Sequence, residues 1–456
     1  MKLDAYKPLK AHVSLFLDDE LRRFKEGSIL FNRSNYEDVE AMIELLEASH
    51  LALEGENILH EAKAFSTGIL RKRVSSLDGR LFKRTVHALE LPLHWRVQWF
   101  DIKWQISLYE QREDKQSNLL ELAKLNLNTV QATHQRDLRE ISRWWRDLGL
   151  MEHVDFTRNR LVESFLCALG LSQETRLSSL EELECFILVI DDVYDLYGSL
   201  EELECFTSAI TRLSTMPPNL FLSSLFSLFS LTGKSDASRW DSEQIQQLPE
   251  CMKVCFQALD DVIHEIAYDI GKDEDWHRVL PHLAKAWDNM GYTPSLEEYL
   301  SNAWTSSSGP LIMSHASFSV GHMNLEDVAD LLERNKDLIY NVSMIIRLCN
   351  DLGTSTAERD RGDAPSSVVC YRREANVPED VARKHIKELI NQAWKSINAH
   401  CFGNFETPFV RTFIDATVNA ARVAHMLYQL GDGFGVQDGD IRRQILSAVI
   451  HPVALN

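Results

Sequence analysis

Several absences bound what this 456-residue chain can be. Period-two alternation of apolar and polar residues is missing, which excludes a protein built on half-buried strands. Proline (12) and glycine (19) are few, and they stand at expected helix ends such as Gly291, Pro294 and Gly403. Positive charge is also short: Lys and Arg total 48 against 68 Asp and Glu, a formal net charge of -20. That excludes a nucleic-acid partner, whose backbone is held by Lys and Arg, but leaves room for a small diphosphate held by a few local arginines. The eight cysteines form no C-x-x-C pair and read as reduced, buried thiols. Cys251 and Cys255, one helical turn apart, read as core packing. The apolar stretch Leu220 to Leu231 is too short to span a bilayer, so no membrane partner is expected. MKLDAYKPLKAHVSLFLDDE has neither an apolar signal core nor a Ser-rich, acid-poor transit character. The printed chain therefore reads as cytoplasmic, with a plastid expected instead if the true start lies upstream.

What is present is helix. Hydrophobic residues make 45% and charged residues 25%, an ordinary globular balance over a length that suits two or three domains. NYEDVEAMIELLEAS, LPLHWRVQWFDIKWQISLYEQ, SNLLELAKLNLNTVQATHQRDLREISRWW and KDLIYNVSMIIRLCNDL carry apolar residues at three- and four-residue spacing. The fold class expected is all-α.

Two oxygen-rich patches interrupt the apolar pattern. In FILVIDDVYDLYG, Asp191, Asp192 and Asp195 follow an apolar run directly. On a helix Asp191 and Asp195 share a face, and carboxylates so placed need a hard cation such as Mg2+ or Mn2+. In RLCNDLGTSTAERDRG, Asn350, Thr354 and Glu358 recur every four residues and stack along one side. Two such faces imply more than one metal ion.

DDxxD followed by NDxxTxxxE resembles the paired metal signature of plant class I terpene synthases. EGENILHEAKAFS (54 to 66), SRWWRDLGL (142 to 150), TRNRLVE (157 to 163), QLPECMKVCFQAL (247 to 259) and GDGFGVQDGDIRRQIL (431 to 446) extend the likeness over almost the whole chain. The resemblance implies a class I terpenoid synthase α-helical bundle over residues 151 to 456. Before it, over residues 1 to 150, it implies a truncated N-terminal, α-barrel-like helical domain. It implies a monomer whose substrate is a prenyl diphosphate, with Mg2+, three ions per site, or Mn2+. Asp191, Asp195, Asn350, Thr354 and Glu358 would hold the metal, with Asp192 supporting them. Arg158, Arg160 and Arg347 would draw the departing diphosphate away, a task suited to the guanidinium fork, with Arg361 a weaker candidate. Trp304, in the broken helix NAWTSSSGP, and Phe434 would face the cation, and Ser306, Ser307 and Ser308 would turn carbonyls toward it. Cys167 stands where the family commonly floors its cavity with a Trp.

Geranyl diphosphate is the substrate favoured by the strings at 54 to 66 and 431 to 446, with farnesyl diphosphate the alternative. A third reading is an inactive product of a defective gene. Residues 213 to 238 interrupt FTSAITR and RWD, EELECF occurs twice (181 to 186 and 201 to 206), and only DNMG separates Trp287 from Tyr292, where the family runs about five further helical turns of roughly 3.6 residues each. Other signals fail. Gly233-Lys234-Ser235 has Leu228 where a P-loop needs its first glycine, His264-Glu265 has Tyr268 where a zinc helix needs histidine, and Gly431, Gly433 and Gly435 follow a helix rather than a strand. A chain-elongating prenyltransferase would carry a second DDxxD at 350 to 354, and a protonation-initiated cyclase would carry D-x-D-D. Neither occurs.

Overall fold

The computed structural model describes residues 39–147, 160–171, 202, 248–255, 294–305, 307–310, 312–313, 325–361, 365–403, 407–429, 431 and 446–455. These form helices, with no strand among the described residues. Helix α1 (Val39–Ser49) turns Val39, Met42, Ile43 and Leu46 to one side. That stripe meets Leu70 of α2 (Asn57–Arg73) and Ala88 of α3 (Gly79–Glu90) in a small core of its own. Each such aliphatic side chain, fully buried, contributes about 1.5–3 kcal/mol.

The run LPLHWRVQWFDIKWQISLYEQ, expected as one helix, is divided. Pro92 starts a 3-10 turn over Leu93–Trp95, Arg96 and Val97 are extended, and α4 (Gln98–Glu110) begins only afterwards. The break is used. Arg96 Nε donates to Leu91 O (2.9 Å) and its Nη2 to His87 O (2.8 Å), so the guanidinium caps the end of α3. Helix α5 (Ser117–Asp147) is continuous, as its periodicity predicts. Gln131 and Gln135 on α5 donate to the carbonyls of a π-helical turn at Leu446–Ile450, and Asn128 exchanges two hydrogen bonds with Val453.

The larger core lies among α6 (Leu161–Leu171), α7 (Leu296–Ala303), α8 (Leu325–Arg334), α9 (Lys336–Arg361), α10 (Ser367–Ala375), α11 (Glu379–Cys401) and α12 (Pro408–Tyr428). Leu338, Val342, Ile345 and Leu348 of α9 meet Ile386, Ile390, Trp394 and Ile397 of α11 and Phe413, Ile414 and Val418 of α12. A Cβ added to Gly170 would lie 2.5 Å from Val423 Cγ2, so α6 approaches α12 at a point only glycine permits. A left-handed Asn376 (φ 51°) ends α10, and a capping box of Ser295 and Glu298 starts α7.

The N-terminal helices join this core through the 3-10 turn. Trp95 stacks on Trp394 (5.3 Å, 10°) and on His425 (5.0 Å, 12°). His94 Nε2 meets Asn398 Oδ1 at 2.7 Å, while Asn398 Nδ2 donates to the carbonyls of His50 (3.0 Å) and Ala52 (3.1 Å). Arg422 Nε donates to His94 O at 2.9 Å. Burial pushes His94 and His425 down to about 3, so both imidazoles are neutral at ordinary pH. Trp394 Nε1 donates to His425 Nε2 at 2.9 Å, which leaves the proton on Nδ1, 3.6 Å from Cys349 Sγ.

Glu47 accepts from Leu93 N at 2.8 Å, and burial raises its carboxyl from 4.5 to about 7. A carboxyl whose folded value lies above its unfolded one favours the fold while protonated, and it loses that contribution as pH rises between the two values. Glu47→Gln, which keeps the acceptor, should raise unfolding free energy by about 2 kcal/mol above pH ~8 and change little near pH ~4. Urea denaturation at the two pH values checks this, and an equal effect at both would contradict it.

Candidate active site

The second oxygen-rich face is on α9, where the sequence puts it. Asn350, Thr354 and Glu358 lie within one continuous helix. Thr354 is 6% exposed, and its Oγ1 donates to Asn350 O at 2.9 Å, leaving the hydroxyl lone pairs for another partner. Arg347 Nη1 donates to Asn350 Oδ1 at 3.2 Å, so guanidinium and amide occupy one spot. An amide, a hydroxyl and a carboxylate along one face offer only oxygen ligands, which fits a hard cation such as Mg2+. Among the described residues no three His, Cys, Asp or Glu side chains gather into a metal site. The partner face would come from Asp191, Asp192 and Asp195, which lie outside the described residues, as do Arg158, Phe434, Ser306, the segment 213–238 and the stretch between Trp287 and Tyr292.

Arg160 stands just before α6, 8% exposed, with Nη1 3.7 Å from Glu163 Oε1. Cys167 is buried among Val97, Val423 and Leu427, beside Trp99 and Phe100, so the thiol contributes to the contact between α6, α12 and the N-terminal helices. Trp304 ends α7 and meets Tyr340 of α9 edge-on at 5.4 Å. Beyond it the chain breaks, as the sequence predicts. Ser308 has φ 60°, and a Cβ on Gly309 would lie 2.5 Å from Ser343 Oγ, which brings the break against α9 one turn before Arg347. Ser308 O accepts from Ile312 N at 3.0 Å, a helical contact four residues on.

Sequence reasoning missed the groups that hold α9 in place. Asp351, 1% exposed, accepts from Tyr299 Oη on both carboxylate oxygens (2.9 Å each) and from Ser367 N at 3.0 Å. Burial raises the Asp351 carboxyl above the usual range and holds the Tyr299 hydroxyl firmly protonated. From the other side, Arg383 of α11 donates to Leu352 O (2.7 Å) and Ser355 Oγ (2.9 Å). A Cβ on Gly353 would sit 2.9 Å from Gly431 O, so the end of α12 runs close past α9 between Asn350 and Thr354. A glutamate or arginine could be suspected from sequence, but partners 52 residues apart, as Tyr299 and Asp351 are, leave no local signal.

The terpene synthase family metal binding domain matches residues 146–396, and the terpene synthase N-terminal domain matches residues 11–89. The chain belongs to the terpene synthase family. It is 45% identical to an alpha-farnesene synthase of Ricinus communis over the whole chain and 78% of that protein. It is 44% identical to an (E,E)-alpha-farnesene synthase of Malus domestica over 98% of the chain and 77% of that protein. Among solved structures, isoprene synthase from grey poplar, in complex with three Mg2+ ions and dimethylallyl-S-thiolodiphosphate, matches with TM-score 0.77 and 38% identity, over 93% of this chain and 79% of that one. This terpene synthase thus has the class I terpenoid synthase fold and is a carbon–oxygen lyase acting on phosphates. No helix among the described residues is long and apolar enough to cross a membrane.

Proposed function

We propose that this terpene synthase ionises farnesyl diphosphate and releases a sesquiterpene, acting as a monomer of two domains divided near residue 150. The observation that carries the substrate is the pair of relatives at 45% and 44% identity, both named for farnesene, a fifteen-carbon product. Geranyl diphosphate, the substrate favoured from sequence strings, becomes the second reading.

The face of Asn350, Thr354 and Glu358, with Asp191 and Asp195 opposite and Asp192 in support, would hold Mg2+, with Mn2+ the other hard ion this donor set accepts. Bound there, the metal supplies electrostatic stabilisation of the charge that develops on the diphosphate oxygens as the allylic C–O bond breaks. Arg347, already turned to Asn350 Oδ1, binds the diphosphate beside that face, and Arg158 and Arg160 receive it as it leaves the carbon. Arginine suits the task because it stays charged and forks onto two oxygens. Trp304, at the entrance to the broken helix, offers a π face to the allylic cation and keeps water from it, a role Phe434 would share.

The test is incubation of the purified chain with farnesyl and with geranyl diphosphate plus Mg2+, followed by gas chromatography of volatiles. Farnesene or another fifteen-carbon hydrocarbon from farnesyl diphosphate is expected, with little product from geranyl diphosphate. The reverse preference would restore the monoterpene reading. Product from neither would support the inactive reading, which a version without residues 213 to 238 then tests.

A further inference from the structure

Asp351 has no part in the ligand face proposed for α9, yet among the described residues it is the most thoroughly buried carboxylate near it. A buried carboxylate is costly to desolvate unless it is hydrogen-bonded. Removing this one would leave the Tyr299 hydroxyl and the Ser367 amide without their acceptor, so it serves the fold. Its contacts give a second reason for it. They join three helices: Tyr299 comes from α7, Ser367 is the first residue of α10, and Asp351 itself is on α9 between Asn350 and Thr354. Helices α7 and α10 are also tied by Leu296 N, which donates to Glu374 Oε2 at 2.8 Å. The Asp351 carboxylate has its Oδ1 3.9 Å from Arg347 Nη1, the same nitrogen that donates to Asn350 Oδ1 at 3.2 Å. One guanidinium nitrogen thus lies between a fixed carboxylate and the amide oxygen offered to a metal.

We propose that Asp351, oriented by the Tyr299 hydroxyl, is a positioning residue that holds the Arg347 guanidinium against Asn350 and so fixes both groups for a Mg2+–diphosphate pair. The inference rests on the reading of the α9 face given above. Tyr299 shares its one hydroxyl proton between both carboxylate oxygens (2.9 Å each), and the Ser367 amide donates to Oδ2 at 3.0 Å, so the carboxylate is held from two sides. The same clamp holds α7, which ends at Ala303, four residues after Tyr299 and directly before Trp304. Groups that orient a ligand without touching the metal commonly change metal affinity or activity by about 10–100-fold when removed.

Tyr299→Phe deletes one hydroxyl and keeps the ring, and Asp351→Asn keeps the shape and removes the charge. The full chain and both variants are titrated with Mg2+ in the presence of inorganic diphosphate, with ligand-induced thermal stabilisation as the readout beside the unliganded melt. The expected result is a Mg2+ midpoint raised about tenfold in Tyr299→Phe and at least as much in Asp351→Asn. A purely structural role would lower the unliganded melt and leave the Mg2+ midpoint in place, and that outcome overturns the proposal. Should Asp351→Asn fail to fold, Tyr299→Phe decides alone. Asn350→Ala separates the two levels of inference. If the wild-type chain gains no stability from Mg2+ and diphosphate, or Asn350→Ala titrates like it, the α9 reading fails and the positioning role with it. If Asn350→Ala loses the response while the other two keep the wild-type midpoint, only the positioning role fails.

Discussion

Asn350→Ala should lower kcat/KM for the prenyl diphosphate by on the order of 10²–10³, the loss typical of removing one group aimed at developing charge. Its side chain is partly exposed on α9, and its amide oxygen meets Arg347 Nη1 at 3.2 Å. Truncation takes away one oxygen of the proposed ligand face and also the acceptor that orients Arg347. No apolar packing is lost, because the buried stripe of α9 runs through Leu338, Val342, Ile345 and Leu348 instead. The melting curve without ligand should therefore stay close to that of the wild type. Steady-state assays with Mg2+ check the prediction, and retained turnover would remove Asn350 from the site.

The largest loss of stability is expected at Trp95. Truncation to alanine leaves a cavity between Trp394 and His425, both of which stack on this indole, and costs about 3–5 kcal/mol. Lys63 lies 5.6 Å from the centre of the same ring, so a cation–π contact goes as well. The turn that carries Trp95 also carries His94, whose carbonyl accepts from Arg422 and whose ring meets Asn398. Loosening it detaches the N-terminal helices from the bundle and, through Trp394 and His425, reaches Cys349, the residue before Asn350. Chemical denaturation measures the loss. A change under about 1 kcal/mol would mean that the surroundings collapse onto the gap.

Much of this was legible in the sequence for a definite reason. Helix periodicity is local, so α5 and α9 appear in the amino-acid pattern almost as they stand, and the fourfold spacing of Asn350, Thr354 and Glu358 requires only that α9 be continuous. The family likeness also rested on local strings. What could not be read depends on distant partners. Pro92 and the capping role of Arg96 split a run that periodicity alone joined. Asp351 reads as a neighbour of the motif until Tyr299 and Ser367 are seen on its oxygens. Gly170 and Gly353 look like ordinary helix residues until Val423 and Gly431 prove to lie within 3 Å of where a Cβ would be. Substrate length belongs to the same class, since it is set by the depth of a cavity to which helices far apart in sequence contribute.

Three of the side-chain amides on α5 have a consequence for how the segment from 446 to 453 can come loose. Asn128, Gln131 and Gln135 recur along one face, and between them they engage the carbonyls of Ser447, Ala448, Val449, Ile450 and Val453. Each glutamine bridges two successive carbonyls, so releasing one residue leaves its neighbour's bond distorted as well. Such a segment does not fray residue by residue. It opens as one cooperative unit, with a free-energy threshold set by the group of amides together.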